Sequence, residues 1–244
     1  MAGASFNIVG KTAQELGQEI LAHVAKGPWV ANESYVRQLL DAGAALEEKD
    51  KDGNTPFLLA ALHGLPIVAK VLFDRGADIN VVNNHGDGVL HFTLPDPPQG
   101  DDRSREDFLP IADLALANGV KVDTVNRMGQ TPLIVAAKEG LYHYVRDILS
   151  RNPDLDQVDW EKKNALQHAQ GNENFRKSAE LIQQTCADRD ARREREAAAQ
   201  AVAELRQEVQ AIVGVMESGT KTTTAPNTAR FSRHALKKGL PHGA

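Results

Sequence analysis

The sequence predicts an all-α protein, an α-solenoid of about five helix-turn-helix repeats with a C-terminal extended helix and a disordered tail. Two observations carry this prediction. One complete unit, a tight turn followed by two short helices, lies between Asp52 and Asn80. Its defining residues then return at a step of 33 residues, as in repeat proteins whose neighbouring units bury each other's apolar faces.

Each part of this unit has its own sequence signal. Gly53 gives the turn its backbone freedom, Thr55 offers an N-cap oxygen, and Pro56 suits the first helical position. The first helix carries small apolar residues that let another helix approach closely. The second helix has an apolar stripe at 3.6-residue spacing, and a glycine ends each helix. The stripe residues are Ile67, Val68, Val71 and Leu72, and the terminating glycines are Gly64 and Gly76.

The unit resembles the ankyrin repeat. The residues that carry this resemblance are Thr55, Pro56, Phe57, Leu59, Ala60, Ala61, Gly64, Gly76, Ala77, Asp78 and Asn80. A second clear copy follows at an offset of 76, which is two periods of 33 with one insertion of about ten residues. That copy consists of Gly129, Thr131, Pro132, Leu133, Ala136, Ala137 and Gly140.

The period divides the chain into an N-terminal arm and an ankyrin-repeat domain. The arm covers residues 1–10 and the domain residues 11–187. Within the domain we predict a cap at 11–49 and repeats at 50–82, 83–125, 126–158 and, in degraded form, 159–187. In the third unit Gly88 and Val89 replace the Thr-Pro pair, which weakens the start of its first helix. Asn152 replaces a helix-ending glycine, a change that the left-handed conformation tolerates.

A proline-rich acidic insertion interrupts the third repeat at residues 95–107. It cannot continue a helix, and we expect the second helix of this repeat over residues 108–118. A docking loop for a basic partner is one interpretation. The sequence favours the other, a tolerated surface elaboration, because added loop length costs little free energy.

After the repeats we predict an extended amphipathic helix at 188–217. Ala198, Val202, Leu205, Val209, Ile212 and Met216 recur at steps of four and three, a heptad pattern under three repeats long. A seam this short does not predict a stable independent coiled coil and needs something to pack against, so Val202, Leu205, Val209 and Ile212 are candidate contacts for a partner.

The last segment, residues 218–244, has five basic residues and no acidic ones, whereas the preceding chain has 23 basic against 33 acidic residues. We predict that it is disordered alone. Phe231, Arg233 and Lys237 belong to a basic amphipathic stretch that is a candidate to fold on a partner or on nucleic acid. The alternative is an inert tail. Nucleic acid is a candidate ligand for this segment only, and not for the repeats.

The sequence offers no chemistry for catalysis. No phosphate-binding loop, nucleophile elbow or metal-ligand spacing is present, so we predict a non-enzymatic protein without cofactor or metal. Cys186 is the only cysteine, which suits a reducing compartment. The first ten residues lack a signal-peptide pattern, and no apolar run approaches the ~20 residues of a membrane span. We therefore expect a cytoplasmic protein.

The resemblance implies a function in binding. Ankyrin-like stacks bind other proteins through a concave surface formed by hairpin tips and inner helices, so we predict an adaptor or inhibitor with one protein partner. The candidate contacts are Lys51, Asp52, Asn54, Leu62, His63, His85, Arg127, Met128, Gln130, Lys138, Glu139, Trp160 and Glu161. Trp160 is the strongest candidate of these, because tryptophan is enriched at interface hot spots. The alternative is that it covers the edge of the degraded repeat.

His91 resembles the buried histidine of the family, which ties adjacent repeats together by hydrogen bonds. Two further functions stay open at this stage. One is an accessory subunit of a larger assembly, anchored by the C-terminal helix and tail. The other is a bacterial effector or immunity protein. The sequence also leaves the oligomeric state open.

Overall fold

The structure is a computed structural model, and it describes residues 10–28, 30–95, 104–171 and 175–218. Across these residues it contains ten α-helices and no β-strand. The helices are α1 (Ala13–Val24), α2 (Glu33–Asp41), α3 (Pro56–Leu62), α4 (Pro66–Asp74), α5 (Val89–Thr93), α6 (Arg105–Ala117), α7 (Pro132–Lys138), α8 (Tyr142–Leu149), α9 (Ala165–Gln170) and α10 (Arg176–Ser218). The chain divides into two compact units, the first of which ends at Asp188.

The helices of the first unit form two rows. In the inner row α1 contacts α3, α3 contacts α5, α5 contacts α7 and α7 contacts α9. In the outer row α2 contacts α4 and α4 contacts α6. Each of the first four helix pairs is a hairpin of one inner and one outer helix. This stacking of successive hairpins confirms the predicted all-α solenoid.

The two Thr-Pro pairs start α3 and α7 as predicted. The Thr55 hydroxyl accepts a hydrogen bond from the Leu58 N–H, and the Thr131 hydroxyl accepts one from the Ile134 N–H. Helix α5 has no hydroxyl cap, but it still begins in register with α3, one residue after Gly88. It is five residues long because it ends at Thr93, shortly before Pro95, which cannot continue a helix.

The core is a continuous layer between the two rows of helices. Every residue of α3 and α7 is buried except the last of each helix. Ala60 and Ala61 in α3, like Ala136 and Ala137 in α7, have no exposed surface. Their small side chains let neighbouring inner helices approach closely, and tight packing of this kind gives a repeat stack its stability.

Two helices start earlier than the sequence indicated. Helix α6 begins at Arg105 rather than at 108, because the Ser104 N–H donates to the Asp107 carboxylate and caps the first turn. The second helix of the fifth repeat and the predicted extended helix form the single helix α10, which begins at Arg176 rather than at 188. No glycine or proline interrupts residues 176–213, so no residue there ends the helix.

Candidate protein-binding surface

Four hairpin tips are built in the same way. Each begins with an Asp or Asn whose side-chain Oδ1 accepts hydrogen bonds from the backbone N–H groups two and four residues later, at 2.8 to 3.1 Å. Carboxylate and amide side chains stabilise turns by this local bonding. The four residues are Asp50, Asn83, Asn126 and Asp159.

Backbone hydrogen bonds join the tips side by side. The Asn84 N–H donates to the Asp52 C=O at 2.9 Å, and the Arg127 N–H donates to the His85 C=O at 2.8 Å. The Trp160 N–H continues the series to the Met128 C=O at 2.9 Å. We call these eight residues the tip row: Lys51, Asp52, Asn84, His85, Arg127, Met128, Trp160 and Glu161.

The tips approach one another so closely that glycine is required next to this ladder. Gly53 has a φ of +82°, and a Cβ atom on it would lie 2.5 Å from the Asn84 Oδ1. The fourth tip differs, because Lys162 occupies the corresponding left-handed position with a φ of 61°. Sequence reasoning missed this substitution, although the 33-residue period places Lys162 in register with Gly129.

The tip row changes character along the stack. Its N-terminal half is polar, with an exposed Lys51 and a half-buried Asp52 and His85. Its C-terminal half presents apolar side chains, since Met128 is 46% exposed and Trp160 is 71% exposed. Val125 and Val158, on the arms of the same two tips, are each 43% exposed, and Val82 at the equivalent position of the second tip is 38% exposed. Within the tip row itself, the large apolar side chains therefore lie at the C-terminal end.

A second group of predicted residues lies at the C-terminal ends of two inner helices. Leu62 and Lys138 are exposed there as the last residues of α3 and α7, and His63 and Glu139 follow them. A helix of seven residues rises about 10 Å, which sets this group apart from the tip row. Glu139 is tied down by an ion pair with Arg105, with 3.2 Å between Oε2 and Nη2.

Two of the predicted contact residues are buried. Asn54 is 5% exposed and Gln130 is 7% exposed, so the prediction that they line the surface is wrong. The Asn54 amide donates to the Asp50 carboxylate at 2.9 Å, and its oxygen accepts from the Asn83 amide at 3.0 Å. Asn54 therefore links two tips from the inside. A polar residue that connects two neighbouring turns has the same sequence signature as one that faces a partner.

An ionised aspartate anchors the tip that carries Trp160. The side chain of Asp159 is fully buried, and its Oδ2 accepts a hydrogen bond from the His168 Nε2 at 2.8 Å. Burial acts to raise the pKa of the Asp159 carboxyl. The hydrogen bonds from His168 and from the backbone N–H groups of Lys163 and Glu161 outweigh burial, and the pKa is lowered.

The contact between Asp159 and His168 was not predicted from the sequence. The available signal was positional. Asp159 holds the fixed first position of a tip, and His168 follows nine residues later on the inner helix α9. The fold brings these two positions together.

His91 plays the structural role that the resemblance implied. It is 6% exposed, its Nδ1 accepts a hydrogen bond from the Gly88 N–H, and its Nε2 donates to the Gln130 C=O at 2.9 Å. It thereby connects the third repeat to the fourth. Burial lowers the pKa of His91, which favours the neutral ring that these two bonds require.

The predicted contacts of the extended helix are on the surface of α10. Val202, Leu205, Val209 and Ile212 are between 44% and 59% exposed. Phe231, Arg233 and Lys237 lie outside the described residues. In the described part of the chain no helix is long and apolar enough to cross a membrane. The same residues contain no cluster of three or more His, Cys, Asp or Glu side chains that could hold a metal ion.

Comparison with known proteins gives one consistent family. A family model described as ankyrin repeats (many copies) matches residues 39–92, and one described as ankyrin repeat matches residues 128–160. The chain is 30% identical over 138 residues, 56% of its length, to the neurogenic locus notch homolog protein 2 of Homo sapiens. It is 29% identical over 155 residues, 62% of its length, to the neurogenic locus notch homolog protein 1 of Xenopus tropicalis.

A third similar protein is the transient receptor potential cation channel subfamily A member 1 of Homo sapiens. It is 27% identical over 131 residues, 54% of this chain. The matched regions make up 5%, 6% and 11% of these three relatives, so the chain spans a small part of each relative's length.

Proposed function

The chain is an ankyrin repeat protein, and we propose that it is a non-enzymatic adaptor or inhibitor that binds a partner protein through the concave face of its stack. Ankyrin repeats are generally protein-protein interaction modules. The tip row anchors the partner, and the exposed ends of α3 and α7 form a second contact strip.

One observation carries the proposal: a large aromatic side chain is exposed on a tip whose backbone is held rigid. Trp160 is 71% exposed, its N–H is bonded to Met128, and the neighbouring Asp159 is fixed by three hydrogen bonds. A rigid site loses little conformational entropy on binding. Tryptophan is one of the side chains, with tyrosine and arginine, that are enriched among binding hot spots.

The exposed ends of α3 and α7 support the same face, because they are the accessible parts of these two inner helices. Residues 56–61 of α3 and 132–137 of α7 are buried, so a partner can reach these helices only at their ends. Leu62 offers an apolar contact and Lys138 a charged one. We propose that the partner spans the roughly 10 Å between the two strips.

The partner can be identified by photo-crosslinking with the intact chain. A photoreactive aromatic amino acid replaces Trp160 in one sample and His143, an exposed ring on the outer helix α8, in the control. We expect a discrete crosslinked protein from a cell lysate with the label at 160 and none with the label at 143. Mass spectrometry then names the captured protein.

Affinity for that protein provides the quantitative test. Trp160→Ala should weaken binding by about thirtyfold or more, since hot-spot truncations cost about 2 kcal/mol or more. His143→Ala should leave the dissociation constant unchanged. If the affinity of Trp160→Ala stays within twofold of the wild-type value, Trp160 is not a binding hot spot. Turnover of a substrate by the purified protein alone would overturn the non-enzymatic assignment.

A further inference from the structure

The C-terminal half of α10 exposes an apolar stripe of its own. We call Ala198, Val202, Leu205, Val209 and Ile212 the α10 seam. The four larger side chains are 44% to 59% exposed, and Val213 beside them is 44% exposed. In the described part of the second compact unit, α10 is the only helix. No other described element of that unit covers these side chains.

The seam has the spacing of a two-stranded coiled coil. Its members follow one another at steps of four, three, four and three residues, so Val202 and Val209 occupy a positions and Leu205 and Ile212 occupy d positions. In the central heptad, valine at a together with leucine at d is the combination that favours two parallel strands. We propose that the seam pairs with the same seam of a second copy of this chain, forming a parallel coiled-coil dimer.

The flanking charges disfavour the antiparallel pair that overlaps the whole seam. That pair would stack Leu205 on Val209 of the second copy. It would then place Arg206 next to Arg206 and Glu208 next to Glu208 across the interface. Like charges in such positions repel. In the parallel pair Arg206 instead faces Ala201 of the second copy, and Glu208 faces Val213.

The ends of the seam limit the strength of the dimer. The a position before Ala198 is Arg195, and a parallel pair would bring two of these cations together, so the paired segment starts after it. The described seam then spans about 20 Å of helix. A segment this short gives an association that depends on protein concentration.

The first test measures mass in solution for the full chain. Sedimentation equilibrium should show the average mass rising toward twice the 26.5 kDa of one chain as concentration increases. Val209→Glu places a carboxylate in the seam and should keep the protein monomeric at the same concentrations. Gln207→Glu is the matched control, because it adds the same charge at an exposed f position of the same helix.

Each outcome of the sedimentation experiment either supports or overturns the dimer. A wild-type chain that stays monomeric overturns the proposal, and so does a dimer that survives Val209→Glu. A failure to fold is detected independently by circular dichroism, and it is not expected, because Val209 is 58% exposed and contributes no core contact. Masses of three or four chains overturn the two-stranded arrangement.

Cysteine crosslinking tests the orientation. In a Cys186→Ser background, Leu205→Cys should form a covalent dimer under a mild oxidant, because a parallel pair places the two 205 positions in one layer. In an antiparallel pair, crosslinks would instead form between Leu205→Cys and Val209→Cys chains mixed together. That second result overturns the parallel arrangement. Neither test involves the tip row, so failure here leaves the proposed partner surface untouched.

Discussion

Lys162 is a residue whose backbone conformation suits glycine better than lysine. It lies at the left-handed position of the fourth tip with a φ of 61°, where Gly53, Gly86 and Gly129 occupy the other three tips. In this conformation the Cβ atom lies too close to the following carbonyl oxygen, and this close contact costs roughly 1 to 2 kcal/mol. Glycine avoids the contact but loses more backbone entropy on folding, so its net advantage is smaller. The fourth tip therefore carries strain that the others lack.

Replacing this lysine should make the protein more stable. We expect Lys162→Gly to raise the free energy of unfolding by up to about 1 kcal/mol, measured by urea denaturation. Lys162→Ala is the control, because it removes the side chain and keeps the Cβ atom. Equal stabilisation by both variants would show that the side chain, rather than the backbone angle, is the source of the effect.

At the scale of elements, the sequence predicted those helices whose ends carry local signals. Thr55 and Thr131, each followed by proline, start α3 and α7 at the predicted positions. The start of α6 and the length of α10 were not predicted. Ser104 caps α6 from inside a segment that sequence reasoning assigned to the insertion, and α10 has no terminating residue at its predicted boundary.

The candidate surface was predictable to the same limited extent. Repeat register places residues on tips, which is how Met128 and Trp160 were found. Register cannot tell which way a side chain on a tip points, and so Asn54 and Gln130 were predicted to be exposed although they are buried. Direction is decided by contacts between repeats, and these contacts depend on residue pairs far apart in the sequence.

The insertion can be tested as an element by changing its sequence and keeping its length. We expect replacement of residues 96–103 by eight Gly and Ser residues to change the free energy of unfolding by no more than about 1 kcal/mol, because the length of the connection, which sets its closure entropy, stays the same. Urea denaturation gives this value. If the replacement instead abolishes binding of the crosslinked partner while the stack stays folded, the insertion is a docking loop.

At the scale of the molecule, the buried His91 and the half-buried His23 connect the stability of the stack to pH. His91 bonds two repeats, and in the cap the Nε2 of His23 accepts a hydrogen bond from the Asn32 N–H at 2.8 Å. Burial lowers the pKa of both rings below the ordinary value of 6.5. The unfolded chain therefore takes up protons near pH 6.5 that the folded stack does not bind.

From these directions we expect the free energy of unfolding to fall as the pH is lowered from 7 to 5, measured as the urea midpoint at constant m value. Asp50 and Asp159, whose pKa values are also lowered, contribute with the same sign, but only when the pH falls below their ordinary value of 3.8. His91→Leu should be less stable at pH 7 and should lose less stability between pH 7 and 5, because one of the two rings with a lowered pKa has been removed. His143→Ala, which removes an exposed ring, should retain the pH dependence of the wild type. Equal losses in the wild type and in His91→Leu would mean that His91 is not one of the groups that link folding to pH.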